Sequence, residues 1–291
     1  MGNLVCHVLH KFEIIFSFFC ICLLCIFDSK ANIATSDTIK ILAIGNSFSE
    51  DAVEQNLYEL ANADSIPIVI GNMYIGGCSL EHHVKNATNN IKDYSYRKIL
   101  ADGSRVRVES VTLKWALTNE DWDYVSLQQA SPFSGIYETY QVDLPKLISY
   151  IKLYLSSDSQ LMLHQTWAYS SDSTHKGFLQ YNNSQMCMYK AIVDATKQAS
   201  ELVSVSIVIP AGTAVQNIRT SFIGDNLDRD GYHLNLLGRY VVACTWYESI
   251  FRGKLLRNHY IPYGINQAQA CIAKKAAYWA IVNPWKITDI N

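Results

Sequence analysis

Ile39-Lys40-Ile41-Leu42-Ala43-Ile44-Gly45-Asn46-Ser47-Phe48-Ser49 is an apolar, β-branched run that stops at a glycine and precedes a helix-like pattern from Asp51 to Ala63. An apolar run of this length, bounded by glycine, reads as a buried strand, and its direct hand-over to a helix is the opening unit of an α/β domain. Further apolar runs follow along the chain. Ile66 to Ile70 leads into Gly76-Gly77, and Tyr124-Val125-Ser126-Leu127 follows Asp121-Trp122-Asp123. Gln160 to His164 follows the amphipathic segment Tyr140 to Leu155, and Val203 to Ile209 follows a helical stretch from Phe178 to Ala199. These five strands with helices between them predict a parallel sheet covered on both faces, a three-layer αβα architecture. Tyr94 to Val108 predicts a small hairpin about Asp102-Gly103, inserted between the second and third strands. Residues 32–291 are expected to form one domain, with 254–291 a helical extension whose pattern from Gln267 to Ile281 packs on the outside.

The first stretch reads as an export signal. Lys11 precedes an apolar run from Ile14 to Phe27 broken only by Ser17, which is short for a membrane span of roughly 20 residues. Ser29-Lys30-Ala31 places cleavage after Ala31, making residues 1–31 a signal peptide and the mature chain secreted or periplasmic. A retained membrane anchor and lipidation at Cys25 are the competing readings, and contact with a membrane is expected only through this segment. A net charge of −2 with scattered Lys and Arg does not recommend a nucleic-acid partner, and none is expected. Cys78, Cys187, Cys244 and Cys271 lie far apart without C-x-x-C spacing, so neither a zinc site nor a disulfide scaffold is expected, and Cys187 and Cys244 read as buried thiols. His82-His83 reads as a solvated helix face, because adjacent helical residues point in different directions. No metal and no organic cofactor is expected.

In a parallel sheet, chemistry gathers in the loops after the carboxyl ends of the strands. Those loops are Gly45 to Ser49, Ile75 to Leu80, Gln128 to Ser134, Gln165 to Tyr169 and the stretch ending in Asp230-Gly231-Tyr232-His233. Ser47, after a glycine that tolerates unusual backbone angles and before a helix start, has the placing of a nucleophile, with Ser49 as its rival. A serine hydroxyl needs a base, and the base needs an orienting acceptor. Asp230 and His233 offer both within four residues; the plainer alternative is a buried histidine satisfied by Asp230. Trp167 and Tyr169 read either as sugar-stacking platforms or as packing against the C-terminal helix.

Taken together, these blocks resemble the SGNH, or GDSL-like, hydrolase superfamily over about residues 39 to 252, and more narrowly a group of secreted bacterial proteins from gut Bacteroidetes. The resemblance implies a flavodoxin-like sheet, catalytic Ser47, His233 and Asp230, and an oxyanion hole built from the Ser47 and Gly77 N–H groups and a side-chain amide. Two departures stand out: Asn46 replaces the family's usual Asp, and Gln128-Gln129-Ala130-Ser131 stands where the family has G-x-N-D. Gln129, or else Gln128, is the expected third donor, and Asn46, Gln128, Trp167 and Tyr169 are the expected substrate contacts. The implied activity is a serine esterase that removes an O-acyl group, most simply O-acetyl, from a carbohydrate through an acyl-enzyme. An O-acyltransferase with the same triad and a non-catalytic glycan-binding protein with a decayed site are the alternatives.

Overall fold

The computed structural model describes residues 37–291, so the expected signal peptide and its cleavage site lie outside the described residues. Strand β1 (Ile39–Gly45) ends where α1 (Ser47–Val53) begins, and α2 (Leu57–Ala63) returns the chain to β2 (Ile68–Tyr74). Helix α3 (Leu80–Thr88) precedes the antiparallel pair β3 (Tyr94–Ile99) and β4 (Arg105–Val111), and short α4 (Leu113–Leu117) leads to β5 (Tyr124–Leu127). Helices α5 (Glu138–Gln141) and α6 (Asp143–Ile151) lead to β6 (Gln160–His164), and α7 (Gln185–Leu202) to β7 (Ile207–Ile209). Helices α8 (Ala211–Arg219), α9 (Leu236–Ile250) and α10 (Gln267–Val282) complete the chain.

The sheet order is β4-β3-β2-β1-β5-β6-β7. Strands β2, β1, β5, β6 and β7 run parallel in the doubly wound order, which is the expected three-layer αβα fold. The sheet has seven strands where five were expected, because the hairpin joins it instead of standing apart. Strand β2 runs on through Gly71, Asn72 and Met73 to Tyr74, and this added length pairs antiparallel with Ser95 to Lys98. Exposed Arg105, Arg107 and Glu109 on β4 put charge on the new edge, which discourages pairing with another chain.

Strand alternation divides the core into two layers. Ile41 and Ala43 of β1 face the apolar cluster under α1, α2, α8, α9 and α10, while Leu42 and Ile44 face the cluster under α3, α4 and α6. Helix α9 is buried from Leu237 to Ser249 apart from no more than a narrow strip, and is apolar nearly all round, as a central helix must be. Helix α10 covers it with a small-residue face, Ala270, Ala273, Ala276, Ala277 and Ala280, so the expected outer extension closes the main core. Among the cysteines, Cys244 is buried as expected, but Cys187 is exposed because it lies on the outer face of α7 near its start.

Two histidines are sealed in this core. His83 is fully buried against Tyr94, its Nδ1 3.0 Å from the Tyr94 hydroxyl, so the solvated-face reading holds for His82 but not for His83. His164 ends β6 with its ring 5.3 Å from that of Trp246. Burial pushes both imidazoles down to about 3, from an ordinary value of 6.5. Both are therefore neutral when folded, while the unfolded chain binds a proton at each below pH 6.5. Their contribution to stability is complete above pH 6.5 and is lost as pH falls toward 3. Below pH 6, urea denaturation should show stability falling by about 1 kcal/mol per pH unit for each histidine, with a shallower slope in the His83→Gln/His164→Gln double variant.

Candidate active site

Ser47 is the first residue of α1, at the carboxyl end of the central strand and beside the point where the chain crosses from one half of the sheet to the other. Gly45 does not adopt a left-handed φ; it is required for close approach. A Cβ there would lie 2.7 Å from Ser49 Oγ and 2.9 Å from Gln128 Cδ. The rival Ser49 is buried, its hydroxyl held at 2.8 Å by both Asn46 C=O and Asn72 Oδ1. Ser47 is partly exposed instead, and its hydroxyl lies 2.9 Å from His233 Nε2.

His233 owes its position to a tight turn from Asp228 to Leu234, closed by a bridge between those two residues and by Arg229 N–H donating to His233 C=O at 2.8 Å. Gly231 stands in the turn at φ +88°, and a Cβ on it would also come within 3.0 Å of Ser173 Cα. Asp230 Oδ2 lies 2.7 Å from His233 Nδ1, while Oδ1 accepts the His233 N–H at 2.8 Å and the Tyr232 N–H at 3.3 Å. Burial pushes the Asp230 carboxyl up, but the His233 ring and these backbone donors outweigh it and hold the group below its usual range. An ionised carboxylate only accepts, so the His233 proton sits on Nδ1, and Nε2 is left to accept from the serine hydroxyl.

Turn and helix are fastened together by a second carboxylate, Asp51, one helical turn after Ser47. It is fully buried and accepts from Leu234 N–H at 2.8 Å, Arg239 Nε at 2.7 Å and Arg229 Nη1 at 3.1 Å. Trp167 forms a second brace. Its ring stacks on Phe48 at 4.0 Å and its indole N–H donates to Tyr232 C=O at 2.8 Å.

The Gly77 turn is tied to the start of α1 through Asn46, whose Nδ2 donates to Cys78 C=O at 3.0 Å. Asn46 Oδ1 accepts the Phe48 N–H and Gln128 Nε2, both at 3.0 Å, and Gln128 Oε1 accepts His164 Nδ1–H at 2.9 Å. Gly77 itself is exposed at φ +64°, and among the described residues its N–H donates to no protein acceptor. The Ser47 N–H, at the first position of its helix, has no intrahelical acceptor.

The model of a family described as a domain of unknown function, DUF4886, matches residues 40–280. The chain belongs to that family. A DUF4886 family protein from Bacteroides uniformis ATCC 8492 is 52% identical, covering 87% of this chain and 98% of its own, with a TM-score of 0.86. A proposed SGNH hydrolase from Slackia heliotrinireducens is 20% identical over 74% of this chain and 100% of its own, with a TM-score of 0.51. A catalytic mutant of an acetylxylan esterase from Geobacillus stearothermophilus is 12% identical over 73% of this chain and 94% of its own, also at 0.51. These last two likenesses establish a shared fold. No curated protein matches the chain.

Several expected site residues stand elsewhere. Gln129 is unsuited to be an oxyanion donor, because Nε2 donates to Thr139 C=O at 3.2 Å and Thr139 Oγ1 at 3.0 Å. Its Oε1 accepts from the Leu80 and Ala130 N–H groups, so the whole amide serves to join the loop after β5 to the starts of α3 and α5. Asn46, Gln128, Trp167 and Tyr169 are each no more than 3% exposed, which removes them as walls of an open substrate pocket. Tyr169 packs below the site with its hydroxyl 2.8 Å from Ser131 Oγ. Asp51 gave no signal in the sequence, since an acid near a helix start reads as a solvated residue. Asp51→Ala should cost about 3–5 kcal/mol in urea denaturation, because two guanidinium groups and the Leu234 N–H lose their acceptor. Asn46→Asp should cost about 1–3 kcal/mol in the same assay, since a carboxylate has no proton to give Cys78 C=O.

Proposed function

We propose that this chain is a serine esterase in which Ser47 forms an acyl-enzyme. The observation that carries the reading is the continuous relay from Asp230 to His233 at 2.7 Å and from His233 to Ser47 at 2.9 Å. His233 Nε2 takes the Ser47 proton as the oxygen attacks an ester carbonyl, then returns it to the departing alcohol. Water, activated by the same nitrogen, then releases the acid. The Ser47 and Gly77 N–H groups stabilise the oxyanion. The assembled relay counts against a decayed, purely glycan-binding site.

The substrate we assign is an O-acetyl ester on a carbohydrate. The fold it shares with an acetylxylan esterase is consistent with this. Export to the periplasm or the exterior rests on the apolar run from Ile14 to Phe27 and is part of the same proposal.

Ser47→Ala should abolish hydrolysis of p-nitrophenyl acetate and labelling by a fluorophosphonate; labelling equal to that of the wild type would overturn the assignment. Asp230→Asn should keep its melting temperature but lose roughly 10²–10⁴-fold in kcat. Released acetate, measured across a panel of acetylated glycans, tests the substrate class, and repeating the measurement with an acceptor glycan separates hydrolysis from acyl transfer.

A further inference from the structure

In the proposed acyl transfer, the departing alcohol oxygen and the carbonyl oxygen occupy different corners of the tetrahedral centre formed at Ser47 Oγ. His233 Nε2 must hand its proton to the departing alcohol oxygen, so the alcohol lies on the His233 side of Ser47. The carbonyl oxygen lies toward the Ser47 and Gly77 N–H groups. On the His233 side the first ring is Tyr232, whose centroid is 4.1 Å from that of His233. The next is His175, edge-on to Tyr232 at 4.8 Å and 4.9 Å from Tyr169.

His175 has one nitrogen committed and one open. Its Nδ1 accepts the Gly177 N–H at 3.0 Å, and a nitrogen that accepts carries no proton, so the ring proton is on Nε2. Among the described residues Nε2–H has no protein acceptor, and the ring is only half-buried. Burial and then the nearby His233 ring push the His175 pKa down, with Asp230 acting the other way, which favours this neutral form.

The segment that carries His175 is wedged in place. Ser170 donates to Gly231 C=O through its N–H at 2.9 Å, and its hydroxyl donates to Asp172 Oδ1 at 2.6 Å. On the other side, a Cβ on Gly177 would lie 2.5 Å from Pro132 Cβ, in the loop after β5. A donor fixed between the catalytic turn and a neighbouring loop loses little conformational freedom on binding.

Building on the esterase reading above, we propose that His175 is a specificity residue for the alcohol half of the substrate, its Nε2–H donating to an oxygen of a sugar ring or its substituents. The test compares glucose pentaacetate, whose ester groups sit among ring and substituent oxygens, with p-nitrophenyl acetate, whose alcohol half offers only a distant nitro group. In His175→Phe the loss of kcat/KM on the sugar ester should exceed the loss on the nitrophenyl ester by about fivefold to tenfold, mostly through KM. His175→Asn keeps an acceptor for Gly177 and an amide donor, and should recover part of that difference. Equal losses on both esters, or no loss on either, would overturn the role, as would a wild-type enzyme active only on the nitrophenyl ester. Failure of the esterase reading looks different: neither ester is then cleaved in a Ser47-dependent way. Melting temperatures of both variants establish that they fold.

Discussion

A single buried carboxylate, Asp51, joins the two halves of the site. It lies four residues after Ser47 and takes a hydrogen bond from the residue after His233, across some 180 residues of chain. A carboxylate without water is costly unless each lone pair finds a donor. Here the donors are Leu234 N–H, Arg229 and Arg239, and all three belong to the His233 turn or to the helix that follows it. Helix α1 therefore gains its solvation from the histidine segment. The Ser47–His233 distance is in large part a consequence of how Asp51 is satisfied, and Trp167 adds an aromatic brace between the same two segments.

The parts of the fold visible in the sequence are those set by local pattern. Strands β1, β5 and β6 are short apolar runs ended by polar or glycine residues, and they stand where expected. The apolar run that marks β2 ends at Ile70, while the strand extends to Tyr74. In the fold Asn72 is buried, bonded to Ser49 and Glu54, and the strand continues through it to receive the hairpin. Partners far away in the chain make that polar residue acceptable in a strand. The helix expected from Asp51 to Ala63 is two helices, the first beginning at Ser47 itself, since Asn46 caps it through the Phe48 N–H.

At the site the same division holds. Asp230 and His233 are three residues apart, so their pairing is a local property and was readable. Which face of a strand end a side chain takes is not local. The sequence leaves Trp167 and Tyr169 open between sugar platforms and packing against the C-terminal helix; both are buried, engaged by Phe48 and Ser131. A lone histidine in a polar loop carries no pattern, so nothing in the sequence marks His175; only the packing of Tyr232 between it and His233 does.

The two departures from the SGNH pattern are physically one feature. The Phe48 N–H fixes the Asn46 carbonyl oxygen as an acceptor, which turns its Nδ2 toward Cys78 C=O. Gln128 must then give its Nε2 to Asn46 and its Oε1 to His164, and His164 must carry its proton on Nδ1. Direction is determined along the whole chain, from β6 through β5 and the end of β1 to the Gly77 turn. An Asp at 46 would lack the donor for Cys78, and an Asn at 128 would be a methylene shorter in the span between Asn46 and His164. Asn46, Gln128 and the buried neutral His164 therefore depend on one another, as a set of groups that positions the Gly77 turn against Ser47.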